Sequence, residues 1–227
     1  MSGFGIECAS RVGPIQRLPH TGRTVTVIIL AAGRGARFLA SGGPTHKLDA
    51  LLCGKPVLWH VMQAVQASGL DWHLVRPAAA TAGMGETIAM GVKAAADAPG
   101  WLILPGDLPL VRGASLKRVA EALTGHAVVV PHYRSRRGHP VGFRNECLAA
   151  LAALSGDAGA ASVVHAYRQN GQVLELPLND AGICLDVDTV QDLHRAQRRL
   201  ARLAHLAHLR DARARPAVDL PAAGAAR

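Results

Sequence analysis

The 227-residue chain lacks the sequence features that define several classes of protein. Its four cysteines, Cys8, Cys53, Cys147 and Cys184, lie far apart and form no Cys-x-x-Cys pair, so their spacing indicates neither a zinc site nor a disulfide framework. There is no run of about 18 apolar residues that would predict a membrane span. The first 23 residues lack the apolar middle of a secretory signal. We therefore expect a cytoplasmic protein with reduced thiols and no membrane partner.

The body of the chain also lacks an excess of positive charge. The formal net charge is +9, but the stretch from Thr24 to His194 holds 14 Lys and Arg against 13 Asp and Glu. A groove for nucleic acid needs cations clustered within the folded part, so we expect no nucleic-acid partner. Residues 1–23 are predicted to be a disordered leader, with a misplaced start codon as the alternative. The Pro-, Ala- and Arg-rich residues 210–227 are predicted to be a disordered tail.

Between the two ends, runs typical of buried strands alternate with helical patterns. This alternation predicts one α/β domain over residues 24–209, with a doubly wound and mostly parallel sheet. The run "TVTVIIL" is apolar and β-branched, as in a strand covered on both faces. Predicted strands are 24–30, 72–78, 100–107, 126–133 and 172–178. Predicted helices are 56–69, 86–96, 115–123, 146–154 and a last one from Val190 to Leu209, with Leu193, Leu200 and Leu203 on one side.

The loop after the first strand combines glycines with basic residues. Ligands of open α/β sheets bind at the carboxyl ends of the strands, which is where this loop lies. Gly33 and Gly35 allow backbone conformations that turn amide groups toward an anion, and Arg34, Arg37 and Lys47 add positive charge to the same rim. We interpret the loop as a phosphate cradle. The alternative is an ordinary glycine-rich turn with solvated basic side chains.

Acidic residues follow two later stretches. Asp107 in "LILPGDLPLV" ends a buried strand, and a carboxylate opposite a phosphate cradle favours a bridging Mg²⁺. Alternatively, Asp107 caps the next turn. In "LDVDT", a strand would point Asp186 and Asp188 to one face, and either could be a second metal ligand. Asp188 with Thr189 is equally suited to cap the last helix.

Six motifs occur in a fixed order along the body: "LAAGRGARF" with "HKL" and "GKPVLWHV", then "GMGETIAMGV", "LPGDLPLV", "RRGHPVGF", "GDAGA" and "DVDTVQDL". In these motifs the chain resembles the MobA-like nucleotidyltransferases from Val25 to Leu193, most closely their molybdenum-cofactor cytidylyltransferase branch. The resemblance implies a Rossmann-like, three-layer α/β fold of the nucleotide-diphospho-sugar transferase type. It also implies Mg²⁺-dependent transfer of a nucleoside monophosphate from CTP, or another NTP, to a phosphorylated acceptor, with release of pyrophosphate.

The resemblance also implies roles for individual residues. Arg37, Lys47 and Asp107 would be catalytic, with Asp107 on the metal, and His139 would contact the acceptor phosphate unless it is only a polar loop residue. The base and ribose would contact Leu30, Ala31, Ala32 and Gly33. The triphosphate would be held by Arg34, Gly35, Arg37 and Lys47. Further residues on the nucleotide side would be Met84, Gly85, Pro105 and Gly106, and the acceptor side would include His139 and Pro140.

The acceptor and the partner stay open at this stage. By resemblance, "LAAG" favours CTP with a molybdopterin-type acceptor, and a molybdoenzyme or its maturation chaperone as partner. One alternative keeps the fold but transfers a guanylyl group, or uses a sugar 1-phosphate. Another is a non-catalytic chaperone that delivers the finished cofactor, with the basic, leucine-striped last helix as its docking surface. His205 and His208 are interpreted as part of a solvated face rather than as metal ligands.

Overall fold

The structure is a computed structural model that describes residues 24–79 and 81–214. Cys8, the predicted leader 1–23 and most of the predicted tail lie outside the described residues. The strands are β1 (Thr26–Leu30), β2 (Leu51–Leu52), β3 (Lys55–Pro56), β4 (Asp71–Val75), β5 (Gly100–Pro105), β6 (Val128–Tyr133), β7 (Arg136–Arg137), β8 (Val141–Arg144) and β9 (Val173–Pro177). The α-helices are α1 (Ala36–Ala40), α2 (Val57–Ser68), α3 (Met84–Ala94), α4 (Gly113–Ala122), α5 (Leu148–Ala152), α6 (Ala161–Gln169) and α7 (Val190–Ala214). Two 3₁₀ turns cover Asn145–Cys147 and Ala181–Cys184.

One sheet of seven strands forms the centre of the fold. β1 pairs in parallel with β4 on one side and with β5 on the other, and β6 pairs in parallel with β9. β8 lies between β5 and β6 and is antiparallel to both, while the short β7 is antiparallel to β6. Five strands therefore run in one direction, and the predicted mostly parallel sheet is confirmed.

Helices cover both faces of the sheet, because alternate residues of the central strands point to opposite sides. Along β1, Val27 and Ile29 belong to one apolar core, and Ile28 and Leu30 belong to the other. The first core is closed by side chains of α2, α4 and α7. The second is closed by α3, α5 and α6. The predicted three-layer, single-domain architecture is therefore confirmed.

The structure differs from the sequence-based prediction in the second half of the chain. The strand β8 falls in "GHPVGF" and the helix α6 follows "GDAGA", and neither was predicted, because both are short and their flanks are glycine-rich. The leucines expected on one side of the last helix also differ in their environment. Leu193 and Leu200 pack against the first core, whereas Leu203 is 53% exposed because α7 extends past the sheet.

The sequence analysis predicted reduced cysteines and no membrane span. Cys53, Cys147 and Cys184 are free thiols. Within residues 24–79 and 81–214, no helix combines the length and the apolar character that crossing a bilayer requires.

A buried carboxylate anchors the segment that leads from β9 to α7. Asp180 is 5% exposed and accepts hydrogen bonds from Ser115 Oγ (2.6 Å), Gly182 N (2.9 Å) and Arg112 N (3.1 Å). Its Oδ1, which accepts from Gly182, also lies 3.2 Å from Arg112 Nε. The 3₁₀ turn Ala181–Cys184 starts from this anchor, so Asp180 fixes where the chain enters the stretch that carries Asp186 and Asp188.

We expect Asp180→Ala to lower the free energy of unfolding by about 3 kcal/mol, because it leaves buried donors without an acceptor. Urea denaturation measures this loss. The control, Glu121→Ala, removes an exposed carboxylate on α4 and is expected to change stability by less than about 0.5 kcal/mol. Equal stabilities for the two variants would contradict the anchoring role.

Candidate functional site

A cavity of about 800 Å³ opens where β1 and β5 end. The amide of Gly106 donates to the carbonyl oxygen of Leu30 at 2.8 Å, which holds these two strand ends together. The walls come from seven parts of the chain. They are the glycine loop after β1 with α1, Lys47 with Leu48, the start of α3 with the residues before it, the turn after β5, β7 with the residues after it, Asp157, and residues 183–188. Segments far apart in the sequence thus meet at one edge of the sheet.

Alternating charges form a chain of contacts across the cavity. Lys47 Nζ lies 2.6 Å from Asp107 Oδ2 and 2.8 Å from Asp188 Oδ1. Arg37 Nη1 lies 2.7 Å from the other oxygen of Asp188. Only 14% of the Lys47 side chain and 16% of each of the two aspartate side chains is exposed, so bulk water screens the inner pairs weakly. Two cations and two carboxylates thus balance each other's charge.

This environment also shifts the pKa values of two groups. Burial lowers the pKa of the Lys47 ammonium, but the negative charges of Asp107 and Asp188 outweigh it and leave that pKa raised. Lys47 is therefore charged at neutral pH. Partial burial raises the pKa of the Asp186 carboxyl, and the neighbouring charges of Asp188 and Asp107 raise it further. Asp186 is thus electrostatically part of the same acidic group, although its residue surface is exposed.

The start of α7 settles one of the two roles left open for Asp188. Thr189 Oγ1 accepts the amide hydrogen of Asp192 at 3.2 Å, and Asp192 Oδ2 accepts from the Thr189 amide at 2.9 Å. These reciprocal bonds are a capping box with Thr189 as the N-cap. The suggestion that Asp188 caps this helix is therefore wrong, and its carboxylate is turned toward Lys47 instead. Residues 185–189 form no strand, yet Asp186 and Asp188 both line the cavity.

Asp107 does not cap the turn after β5 either. Lys47 occupies its Oδ2, and its buried Oδ1 has no hydrogen-bond partner among the described residues. Across residues 24–79 and 81–214, no group of three or more His, Cys, Asp and Glu side chains is placed to hold a metal ion. Mg²⁺ commonly takes one or two carboxylates and completes its shell with phosphate oxygens and water. The unpartnered Oδ1 and the neighbouring Asp188 fit such a shared site.

The glycine loop has the expected backbone geometry at Gly35 but not at Gly33, which is not in the left-handed region. Gly35 has φ +64°, in the left-handed region that favours glycine, and starts α1. A Cβ there would also lie 3.1 Å from His46 Cδ2. Arg34 and Arg37 are exposed on the rim of the cavity.

Most of the predicted site residues lie in the cavity wall, and four do not. Those in the wall are Leu30, Ala32, Gly33, Arg34, Gly35, Arg37, Lys47, Met84, Pro105, Asp107, His139, Asp186 and Asp188. Those outside it are Ala31, Gly85, Gly106 and Pro140.

Each of these four is buried behind the wall. Ala31 is part of the first core. The amide of Gly85 donates to Gly156 O at 2.8 Å, and Gly106 makes the bond to Leu30 described above. Their positions correct the prediction of direct contact with a ligand, because their surfaces are covered by neighbouring backbone and core.

His139 lies in the cavity wall, and its backbone holds it in place. Its backbone amide donates to Ile183 O at 2.8 Å, which fixes the residue against the 3₁₀ turn. Its buried Nδ1 finds no hydrogen-bond partner in the part of the chain that the structure describes. Burial lowers the pKa of the imidazole, and the charge of Asp107 offsets this only in part, so the ring is neutral at neutral pH.

The structure adds cavity residues that the sequence analysis did not single out. Arg136 and Arg137 of β7 lie in the wall beside His139, and Arg136 Nη2 donates to Cys184 O at 3.2 Å. Neither arginine pairs with a carboxylate among the described residues. Thr81, Thr87 and Asp157 line the opposite side. The two arginines begin the motif "RRGHPVGF". This basic pair was the feature of the sequence that could have indicated them as cavity residues.

An α/β sheet with a glycine loop, basic side chains and carboxylates at its strand ends is the arrangement of a nucleotide-binding enzyme. The sequence defines the class further, because residues 27–172 match the family described as MobA-like NTP transferase domain. The chain belongs to this family.

Several solved structures share this fold. A nucleotidyl transferase from Methanothermobacter thermautotroptrophicus superposes with a TM-score of 0.69 at 21% identity, covering 79% of this chain and 99% of that one. Rv0371c from Mycobacterium tuberculosis H37Rv, solved in complex with manganese, gives 0.61 at 24%, covering 78% and 98%. Molybdopterin-guanine dinucleotide biosynthesis protein A from Archaeoglobus fulgidus gives 0.52 at 14%, covering 78% and 100%.

A curated relative has a higher sequence identity over a shorter stretch. The bifunctional protein GlmU of Xylella fastidiosa (strain 9a5c) is 32% identical over 135 residues, which is 50% of this chain. The match covers 29% of the length of that relative.

The lowered pKa of His139 predicts a loss of stability in acid. The unfolded chain takes up this proton near the ordinary value of 6.5, whereas the folded protein takes it up only at lower pH. Stability therefore falls as pH drops below about 6.5. We expect His139→Gln to lose less stability than the wild type between pH 7 and pH 5 in urea titrations. The exposed His126→Gln should follow the wild type, and identical slopes for all three proteins would contradict the burial of a neutral ring.

Proposed function

We propose that the protein is a Mg²⁺-dependent cytidylyltransferase that moves CMP from CTP onto the phosphate of a molybdopterin-type acceptor. The observation that carries this proposal is the charged chain Arg37–Asp188–Lys47–Asp107 beside the glycine loop. It places cations for phosphate groups and carboxylates for a metal within one cavity. Family membership supports nucleotidyl transfer, while the base, the metal and the acceptor are parts of the proposal.

The nucleotide occupies the side of the cavity formed by the glycine loop and α1. Leu30, Ala32 and Gly33 contact the base and ribose, and the amides around Gly35 with Arg34, Arg37 and Lys47 hold the triphosphate. The choice of CTP rests on the resemblance of "LAAG" to the cytidylyl branch. A guanylyl transferase with the same fold is the alternative, and pyrophosphate release from CTP, GTP, ATP and UTP distinguishes the two.

Asp107 and Asp188 would hold the metal ion, with Asp186 within the same acidic group. When bound, Mg²⁺ would neutralise phosphate oxygens and so reduce repulsion between the two anionic substrates. Lys47 faces both carboxylates. Its ammonium would therefore lie beside the phosphate groups of a nucleotide whose metal ion is held by those carboxylates.

The acceptor occupies the side of the cavity formed by β7 and His139. Arg136 and Arg137 are exposed cations without a carboxylate partner among the described residues, and His139 Nδ1 is an unused polar atom. A phosphate group there would contact two guanidinium groups. Each guanidinium group can donate two parallel hydrogen bonds to phosphate oxygens. A sugar 1-phosphate has the same anionic group, so competition between acceptors is needed to separate the two classes.

The reaction is an in-line displacement at the α-phosphorus of the nucleotide. An acceptor phosphate oxygen forms the new P–O bond, and the bond from the α-phosphorus to the bridging oxygen breaks, so that pyrophosphate leaves with that oxygen. A terminal phosphate is already ionised at neutral pH, so no side chain has to remove a proton. Arg37 and Lys47 stabilise the charge that grows on pyrophosphate, and catalysis consists of positioning and charge neutralisation.

A cofactor-delivering chaperone without catalysis is the other candidate function. The exposed Leu203 and Leu206 of α7 favour it, since apolar side chains there suit docking to a molybdoenzyme or its maturation chaperone. Release of pyrophosphate supports the enzyme, and tight binding of the cofactor without turnover of any nucleotide supports the chaperone.

We expect Asp107→Asn to lower turnover by two to three orders of magnitude, about the effect of removing one preorganised charged contact. The amide keeps the shape of the side chain but loses its negative charge, so the fold should persist. Pyrophosphate release with saturating CTP and acceptor measures the effect. Glu121→Gln changes an exposed carboxylate on α4 outside the cavity wall, and it should leave turnover unchanged. Wild-type turnover in Asp107→Asn would reject the assignment.

Lys47→Met should change the affinities for metal and nucleotide in opposite directions. It removes the ammonium that now neutralises Asp107 and Asp188, so calorimetry should show tighter Mn²⁺ binding to the variant without nucleotide. Nucleotide binding should weaken about tenfold or more, because a charged contact to the phosphates is lost. The exposed Lys93→Met is the control, with both affinities expected to stay at the wild-type values. Unchanged affinities in Lys47→Met would contradict the proposed arrangement.

A further inference from the structure

His46 lies outside the cavity wall but makes two contacts with the glycine loop. Its Nε2 is 2.6 Å from the carbonyl oxygen of Gly33, and its Cδ2 packs where a Cβ of residue 35 would be. It directly precedes Lys47. Neither the predicted site nor the proposed reaction uses this side chain.

The hydrogen bonds of the ring define its tautomer. The Gly33 carbonyl can only accept, so Nε2 carries a hydrogen and donates it. The Leu48 amide can only donate and lies 3.3 Å from Nδ1, so Nδ1 is the acceptor. Both nitrogens therefore have a backbone partner, and Asp49 Oδ2 lies 4.0 Å from Nδ1 as well. The ring is held between the glycine loop and the turn that carries Lys47.

The bond to Gly33 also sets the direction of the next amide. In a trans peptide the C=O and N–H groups point in opposite directions, so a Gly33 carbonyl facing His46 turns the Arg34 N–H away from His46. This amide belongs to a residue of the cavity wall, and it has no acceptor among the described residues. A free amide at this position is suited to a phosphate oxygen.

The turn on the other side of the ring is equally well defined. The amides of Asp49 and Ala50 both donate to the carbonyl oxygen of His46, at 2.9 and 3.0 Å. Leu48 is buried in the first core, and its carbonyl accepts from the Leu58 amide at 3.0 Å. The backbone that carries His46 and Lys47 is thus fixed to the body of the protein. Through its contact with the Gly33 carbonyl, the imidazole restricts the movement of the glycine loop as well.

We propose that His46 is a positioning residue that fixes the Gly33–Arg34 peptide, so that the Arg34 amide donates to a phosphate group of the bound nucleotide. The inference rests on the proposed function, since it assigns a role within the triphosphate site. Without the imidazole, the peptide next to Gly33 is free to rotate, and a rotated carbonyl would face and repel the phosphate. His46 thereby also fixes the distance between this amide and Lys47.

The test uses isothermal titration of CTP in MgCl₂, without acceptor, into the full-length protein. His46→Ala should weaken CTP binding about five- to tenfold, the upper part of the usual range for one hydrogen bond. His46→Gln should restore most of the affinity, because its Nε2 reaches the Gly33 carbonyl. The matched control is His60→Ala, since His60 Nε2 makes a comparable 2.8 Å contact with Leu52 O outside the cavity wall. It should bind CTP like the wild type.

A second readout separates orientation of the peptide from general stability. In amide NMR spectra, the Arg34 resonance should shift on adding CTP with MgCl₂ in the wild type and in His46→Gln, and much less in His46→Ala. Normal CTP affinity in His46→Ala, or equal losses in His46→Ala and His60→Ala, would overturn the proposal. If the wild type itself binds none of CTP, GTP, ATP and UTP, the proposed function fails instead.

Discussion

The Lys47 ammonium lies between two carboxylates from distant parts of the chain, and the organisation of the cavity depends on these contacts. Asp107 lies in the turn after the strand β5, and Asp188 precedes the last helix. Three weakly screened charges in contact hold a definite geometry, because separating any of them would leave a partly buried charge without a partner. Arg37 extends the contacts to the rim. The site is therefore held together by the same groups that are proposed to bind phosphate and metal.

The fold brings these groups together through backbone contacts that do not involve the ligand. The Gly106 amide joins the ends of β1 and β5, and the Val187 amide donates to Asp107 O at 2.9 Å. Thr189 takes over the capping of α7, which leaves the Asp188 side chain turned toward Lys47. Asp180 sets where this segment begins. A neutral, preassembled group of charges can then exchange its internal partners for a nucleotide and its metal at little cost in reorganisation.

The sequence predicted the parts of this arrangement that depend on local pattern. β1 and β5 are continuous apolar runs, and their ends marked the glycine loop and Asp107 as candidates. The parallel sheet and its two helical layers followed from the alternation of elements. Capping could not be assigned, because Asp188 and Thr189 are both good N-cap residues and only the path of the chain decides between them. The antiparallel β8 and the helix α6 were missed, because short elements with glycine-rich flanks carry little periodic signal.

The sequence pattern could not predict which residues far apart in the chain would contact each other. Nothing near Lys47 in the sequence shows that it would reach Asp188, and nothing shows that His46 would contact Gly33 thirteen residues earlier. Four predicted contact residues proved to lie behind the wall, because a motif marks a neighbourhood and does not say which of its residues face the cavity. Arg136 and Arg137 were overlooked for the opposite reason, since a basic pair in a loop region is usually a solvated surface.

A crystal structure of the protein with CTP and Mn²⁺ tests the central claim most directly. The account predicts an anomalous manganese peak coordinated by Asp107, with the triphosphate between that ion and the side chains of Arg37 and Lys47. A nucleotide bound away from the glycine loop, or a manganese ion that does not touch Asp107 while Lys47 keeps both of its carboxylate partners, would contradict it.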